Sequence, residues 1–141
     1  MTRDLTALAA QLTEDEGRRL KIYQDELGYV TVGVGHNMST DGISDAICDA
    51  LLAEDMARAA TAVAENWAWS AQLPDAPWAV LVNLCFNMGP VALAGFVHFL
   101  AAMQAGDWPR AAEELQNSAW WGQVGQRGPR MVKRLIGGAP A

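Results

Sequence analysis

Asp15-Glu16-Gly17-Arg18-Arg19-Leu20-Lys21-Ile22-Tyr23-Gln24-Asp25-Glu26-Leu27-Gly28-Tyr29-Val30-Thr31-Val32-Gly33-Val34-Gly35-His36 is the stretch from which the fold is read. Leu20 to Gln24 is apolar at alternate positions, the pattern of a strand with one covered face. Asp25 to Gly28 reads as a turn, and Tyr29 to Val34 has the β-branched and aromatic content of a second strand. The expectation is one small antiparallel sheet between about residues 18 and 36. Upstream, Leu5, Leu8, Ala9 and Leu12 recur at helical spacing and predict a helix from about Asp4 to Asp15, stopped by Gly17. Glu16 then stands where a helix passes into a sheet, Asp25 in the first turn of that sheet, and Thr31 on the next strand. Hairpin pairing brings Thr31 back towards Asp25.

Downstream the pattern turns helical. Asn37 to Gly42 is rich in turn residues, Ser44 is a good N-cap, and Asp45 suits the positive end of a helix dipole. Ile47, Leu51, Met56 and Val63 predict one helix to about Glu65. Asp75, as an N-cap before Ala76-Pro77, opens a helix expected to end at Met88-Gly89. Val91 to Ala105 is predicted as a helix stopped by Gly106, and Asp107 caps another that runs to about Gln116. A last helix carries Met131, Leu135 and Ile136. It is expected to start near Pro129 and to end at Gly137-Gly138. A sheet confined to one stretch among helices implies an α+β fold: a small antiparallel β-lobe, a helical lobe, a long helix joining them and a cleft between. A single domain over residues 1–141 is expected, with the β-lobe at about 17–43, the connecting helix at about 44–65, and the helical lobe at about 66–141 together with the N-terminal helix.

Composition narrows the classes. With 51% hydrophobic and 18% charged residues the chain is not a disordered one. A formal charge of -6 argues against nucleic-acid binding, which normally needs a basic face. The longest apolar runs, such as Ala79 to Phe86, are interrupted at Asn83 and short of a membrane span, so no stable membrane insertion is expected. The acidic start, with Asp4, Glu14, Asp15 and Glu16, is no secretory signal. Cys48 and Cys85 lie in apolar helical patterns outside any CxxC or Cys/His cluster, and read as two buried free thiols. No metal site and no cofactor is expected.

Glu16, Asp25 and Thr31 carry the chemistry. Hydrolysis of a glycosidic bond needs two carboxyl groups flanking it, one protonated and one ionised. Two carboxylates nine residues apart are common, however, and spacing alone decides little. Resemblance decides more. Glu16, Gly17, Asp25, Thr31, Gly33, Gly35 and His36 resemble, without a gap, the catalytic signature of the phage-type lysozymes, glycoside hydrolase family 24. Phe86-Asn87-Met88-Gly89 with Ala94-Gly95-Phe96 is similar to the family's cleft-lining motif on the helical lobe, and Trp108 to Arg130, including Arg127, is a weaker match.

The resemblance implies a lysozyme-like fold and an endolysin, a muramidase that cleaves the β-1,4 bond between N-acetylmuramic acid and N-acetylglucosamine with inversion. Glu16 would protonate the leaving oxygen. Asp25, with the Thr31 hydroxyl, would hold the attacking water or stabilise developing positive charge. Phe86, Asn87 and Gly89 are implied substrate contacts, although core packing explains Phe86 and Asn87 equally well. His36 and Arg127 are supporting residues, His36 as a structural histidine closing the sheet. Trp120-Trp121 reads as core and not as a sugar-stacking pair. The implied partner is the peptidoglycan glycan strand, met by a monomer made in the host cytoplasm and released through a pore or by injection.

Three features depart from the family pattern. The link Asn37 to Ile43 is short, Gly128-Pro129 interrupts a stretch that is often continuous helix, and the acidic balance opposes attraction to a polyanionic wall. Two rival readings stand beside hydrolysis: a glycan-binding or tail-structural module of the same fold, and a lytic transglycosylase, which forms an anhydro end instead of adding water.

Overall fold

Asp4 opens the first helix of the computed structural model, which describes residues 2–137. Its carboxylate accepts a hydrogen bond from the Ala7 N–H at 3.1 Å and so acts as the N-cap of α1, Leu5–Glu16. The helix therefore starts one residue later than predicted. It ends where the Gly17 N–H donates to the Thr13 carbonyl at 2.9 Å.

Three antiparallel strands follow in the order β1 (Arg19–Gln24), β2 (Val30–Gly33) and β3 (His36–Asn37). Tyr23 pairs with Thr31 and Gln24 with Val30, but the register shifts before Arg19 pairs with Gly33. Such a bulge arches β1 away from its partner, and Leu20 and Ile22 on it are exposed. The Arg19 guanidinium lies 4.3 Å from the Tyr23 ring centroid, on the same side of the strand. The predicted link from Asn37 to Ile43 holds a short helix, α2 (Met38–Asp41), because the Asn37 side chain accepts from the Thr40 N–H at 2.9 Å. Ser44 caps α3 (Asp45–Asn66) as expected, its hydroxyl accepting from the Ile47 N–H at 3.2 Å.

The chain divides into two compact units, Met1–Ala50 and Leu51–Ala141, with the boundary inside α3. In the second unit a 3-10 turn, Ala68–Gln72, leads to α4, Asp75–Ala94. Pro74, not Asp75, is the N-cap of α4: the Trp78 N–H donates to the Pro74 carbonyl at 3.0 Å, and Asp75 lies in the first turn. Gly89, at φ 83°, breaks this helix where the sequence predicts its end, a conformation L side chains rarely adopt. One more turn, through Ala94, follows the break. The next helix, α5 (Val97–Ala105), starts later than the predicted Val91, because Gly95 and Phe96 turn back to donate to the Ala92 and Leu93 carbonyls.

α6 (Trp108–Gln116) is capped by Asp107, and α7 (Ala119–Gln123) is a short helix that the sequence reading leaves unassigned. α8 runs from Arg127 to Gly137. Gly128-Pro129 does not interrupt it, since proline in a first helical turn forfeits no intrahelical bond. The predicted stop at Gly138 lies outside the described residues.

The core belongs to the second unit. Val63, Leu81, Leu84, Leu93, Phe99, Met103, Leu115, Met131 and Leu135 are buried there, with Trp120 beside them. Each such side chain stabilises by roughly 1.5–3 kcal/mol relative to exposure. By length and composition α4 is apolar enough to cross a membrane, which corrects the reading that no stretch reaches that length. Its Val80, Leu81, Leu84 and Leu93 are the centre of this core. Cys85 is buried as expected, and burial pushes its thiol up from its ordinary value. Cys48 is exposed, which corrects the expectation of two buried thiols.

Candidate active site

Glu16 is the last residue of α1, and its side chain is exposed. It reaches the β2–β3 turn, where a Cβ built on Gly35 would lie 3.0 Å from the Glu16 carboxyl carbon. The helix thus ends with its terminal carboxyl group lying on glycine backbone.

Asp25 organises the turn between β1 and β2. Its Oδ1 accepts from the Leu27 N–H at 2.9 Å and from the Tyr29 N–H at 2.8 Å. Its main chain closes the same turn: the Asp25 N–H donates to the Tyr29 carbonyl at 2.9 Å, and the Gly28 N–H donates to the Asp25 carbonyl at 3.0 Å. Both side-chain bonds fall on one oxygen, so Oδ2 accepts none from the described residues. Asp at the head of a turn commonly bonds backbone two residues on, and this one reaches four.

Thr31 is buried at 3% exposure, and its hydroxyl donates to the Tyr29 carbonyl at 2.9 Å. Asp25 and Thr31 are therefore tied to one residue, Tyr29, through its N–H and its C=O. The hydroxyl proton of Thr31 is committed, and what the oxygen offers beyond that bond is acceptor capacity. The strand behind is held as well, since the Val30 N–H donates to the Ser39 hydroxyl at 2.9 Å. His36 stands at the start of β3, where its Nε2 hydrogen-bonds the Gly42 carbonyl oxygen across α2.

The other expected site residues belong to the second unit. Phe86 is 43% exposed and lines a groove of about 620 Å³ together with Leu52, Met56, Trp78, Val82 and Arg127. The Asn87 side-chain oxygen accepts from the Trp120 indole N–H at 2.9 Å, which engages Asn87 with a core side chain. Gly89 is the break in α4. Arg127 opens α8, and its guanidinium donates to the Asn83 side chain at 2.6 Å. A second groove, about 470 Å³, is lined by Phe96, His98, Glu114, Asn117, Trp120 and Gln123. Among the described residues no three His, Cys, Asp or Glu side chains are grouped to hold a metal ion.

The first unit thus brings Asp25 and Thr31 onto Tyr29, and Glu16 onto Gly35. Reasoning from sequence missed the part played by the Tyr29 main chain. An aspartate followed by a glycine three residues later is the only trace it leaves. The contact between Gly35 and Glu16 joins residues nineteen apart in sequence, and no local pattern announces it.

Comparison with known proteins gives this geometry a family. The model of the phage lysozyme family matches residues 13–135. The chain is 29% identical to the pre-baseplate central spike protein Gp5 of Enterobacteria phage T4, across 94% of this chain but 28% of that protein's length. It is 24% identical to the probable T4-type lysozyme 1 of Dictyostelium discoideum, across 91% of this chain and 92% of the other. To the endolysin of Salmonella phage P22 it is 33% identical, across 60% of this chain and 62% of the other. The family match takes in Glu16, Asp25 and Thr31 and runs into α8: the chain belongs to the phage lysozyme family.

Proposed function

We propose that this chain is a peptidoglycan hydrolase that cleaves the β-1,4 bond between N-acetylmuramic acid and N-acetylglucosamine, with the 141 residues acting as one lysozyme domain. The observation that carries the reading is the arrangement of Asp25 and Thr31 on Tyr29, in the same compact unit as the helix-end carboxyl of Glu16.

Glu16 is the general acid. Its carboxylic proton passes to the glycosidic oxygen as the bond to the anomeric carbon breaks, so the departing sugar leaves as a neutral alcohol. Asp25 is the base. Oδ1 is held by two backbone N–H groups, and Oδ2 takes a proton from the incoming water. The Thr31 oxygen accepts that water's other hydrogen, which turns a lone pair towards the anomeric carbon. Water enters opposite the leaving group, and the product anomer is inverted. His36 fixes the β3 end of the turn that carries Gly35. Phe86, Asn87 and Gly89 are assigned to substrate contact and Arg127 to support. The protein works without a cofactor, as a monomer, on glycan strands that it meets after synthesis in the host cytoplasm.

A second reading has a specific observation behind it. The chain matches 28% of a phage T4 protein named for a central spike, so a domain of this family occurs within a larger structural protein. Digestion of purified peptidoglycan in ¹⁸O-labelled water separates the readings. Hydrolysis yields new reducing ends carrying one ¹⁸O. Anhydro ends without label would make the chain a transglycosylase, and sedimentation with walls without any new ends would make it a binding module. Proton NMR of the first product anomer tests inversion.

A further inference from the structure

We infer that Gly35 is a positioning residue for the Glu16 carboxyl group, an inference that rests on Glu16 being the proton donor. Five glycines of the first unit, Gly17, Gly28, Gly33, Gly35 and Gly42, have positive φ, and four of them would hold a Cβ with nothing within 4 Å. At Gly35 the added atom would lie 3.0 Å from the Glu16 carboxyl carbon, 3.0 Å from its Oε2 and 3.1 Å from its Cγ. Positive φ is common to all five. The close approach is particular to Gly35, and it falls on a group to which the mechanism gives a role.

The wall that Gly35 forms is well anchored. Gly35 lies between β2 and β3, with Val32 paired to His36 across the turn and His36 bonded to the Gly42 carbonyl. Glu16, by contrast, ends an exposed side chain with rotatable bonds. A methyl group at position 35 is therefore relieved by movement of the carboxyl and not of the turn. Stability is spared that contact, and the position of the acid is lost. Proton transfer in the transition state requires the donor within hydrogen-bond reach of the leaving oxygen, and displacements well under the size of an atom reduce it. The missing side chain at Gly35 keeps that place open.

Gly33 supplies the control: its φ is +70° against +67° at Gly35, and nothing lies near its added Cβ. Gly33→Ala and Gly35→Ala both place a side chain at positive φ, so each is compared at equal folded concentration, with its melting temperature measured alongside. On soluble glycan fragments, Gly35→Ala lowers kcat at least about tenfold with little change in KM, whereas Gly33→Ala lowers kcat less than about threefold. The ¹³C resonance of the Glu16 carboxyl moves in Gly35→Ala and stays in place in Gly33→Ala. Added to Glu16→Gln, Gly35→Ala reduces the remaining rate by less than about twofold, because the group it displaces is already gone.

Equal kcat losses in the two alanine variants, or an unmoved Glu16 resonance in Gly35→Ala, would overturn the inference and leave Gly35 a turn residue. Full activity of Glu16→Gln would overturn the proton-donor reading and the inference with it. That failure is recognised separately, because the carboxyl resonance still moves in Gly35→Ala.

Discussion

Between residues 2 and 50 Thr31 is the one buried residue described, whereas from Ala59 to Leu135 the chain buries a continuous cluster of aliphatic and aromatic side chains. The two units are held by different forces. In the first, Asp4, Asp25, Asn37, Ser39 and Ser44 each accept a backbone N–H on a side-chain oxygen, and these bonds fix the ends of its elements. Each contributes about 1 kcal/mol net. In the second, apolar burial dominates. The comparison teaches that residues assigned to chemistry in the first unit also form its structure. Asp25 is both a base and the organiser of a turn, so substitutions there must separate the two roles.

The largest expected effect tests the burial side of the comparison. Leu84, fully buried, leaves a cavity when shortened, and Leu84→Ala should lower the unfolding free energy by about 2–5 kcal/mol, measured by urea titration. A loss below about 1 kcal/mol would mean that the core does not carry the second unit. Next, Asp25→Asn keeps an oxygen to accept the Leu27 and Tyr29 N–H groups but removes the charge. It should lower the hydrolysis rate about a hundredfold or more with the turn intact, whereas Asp25→Ala adds a stability loss of about 1–2 kcal/mol. Equal rates for Asp25→Asn and wild type would leave Asp25 a structural residue only.

Thr31→Val should cost less, about tenfold and mostly in kcat, because the water keeps its contact with Asp25 and the Tyr29 carbonyl keeps the Asp25 N–H as a donor. A larger loss than that of Asp25→Asn would reverse the assigned roles. The smallest effect concerns the thiols. Cys48 should react with a thiol reagent in the native protein and Cys85 only after unfolding, without change in activity. Equal native labelling of both would contradict the burial contrast between the units.

Local chemistry made much of the fold legible. The caps at Ser44 and Asp107, the turn at Asp25 to Gly28, and the break at Gly89 are each written in residue types with a short-range cause. What was not legible depends on competition between equally good local signals. Pro129 marks a helix boundary as readily as it fits a first turn, and α8 takes the second option. Asp75 caps a helix as well as it occupies its first turn, and Pro74 holds the cap position. Gly95-Phe96 breaks a run that helical spacing alone continues. Cys48 shows the limit of periodicity: an apolar helical pattern does not state which face is covered.

At the candidate site, Glu16, Asp25 and Thr31 were found by residue type and by resemblance to a family. The junction at Tyr29 and the contact of Gly35 with Glu16 required the turns to be folded first, because main-chain groups carry no signature in a sequence.

The most direct test of the central claim is clearing of a peptidoglycan suspension by wild type and by Glu16→Gln at equal folded concentration. Glu16 is exposed, so its replacement leaves the fold in place and acts on the chemistry. The account predicts a loss of at least about a hundredfold in rate with an unchanged melting temperature. Clearing by the variant at the wild-type rate would contradict it.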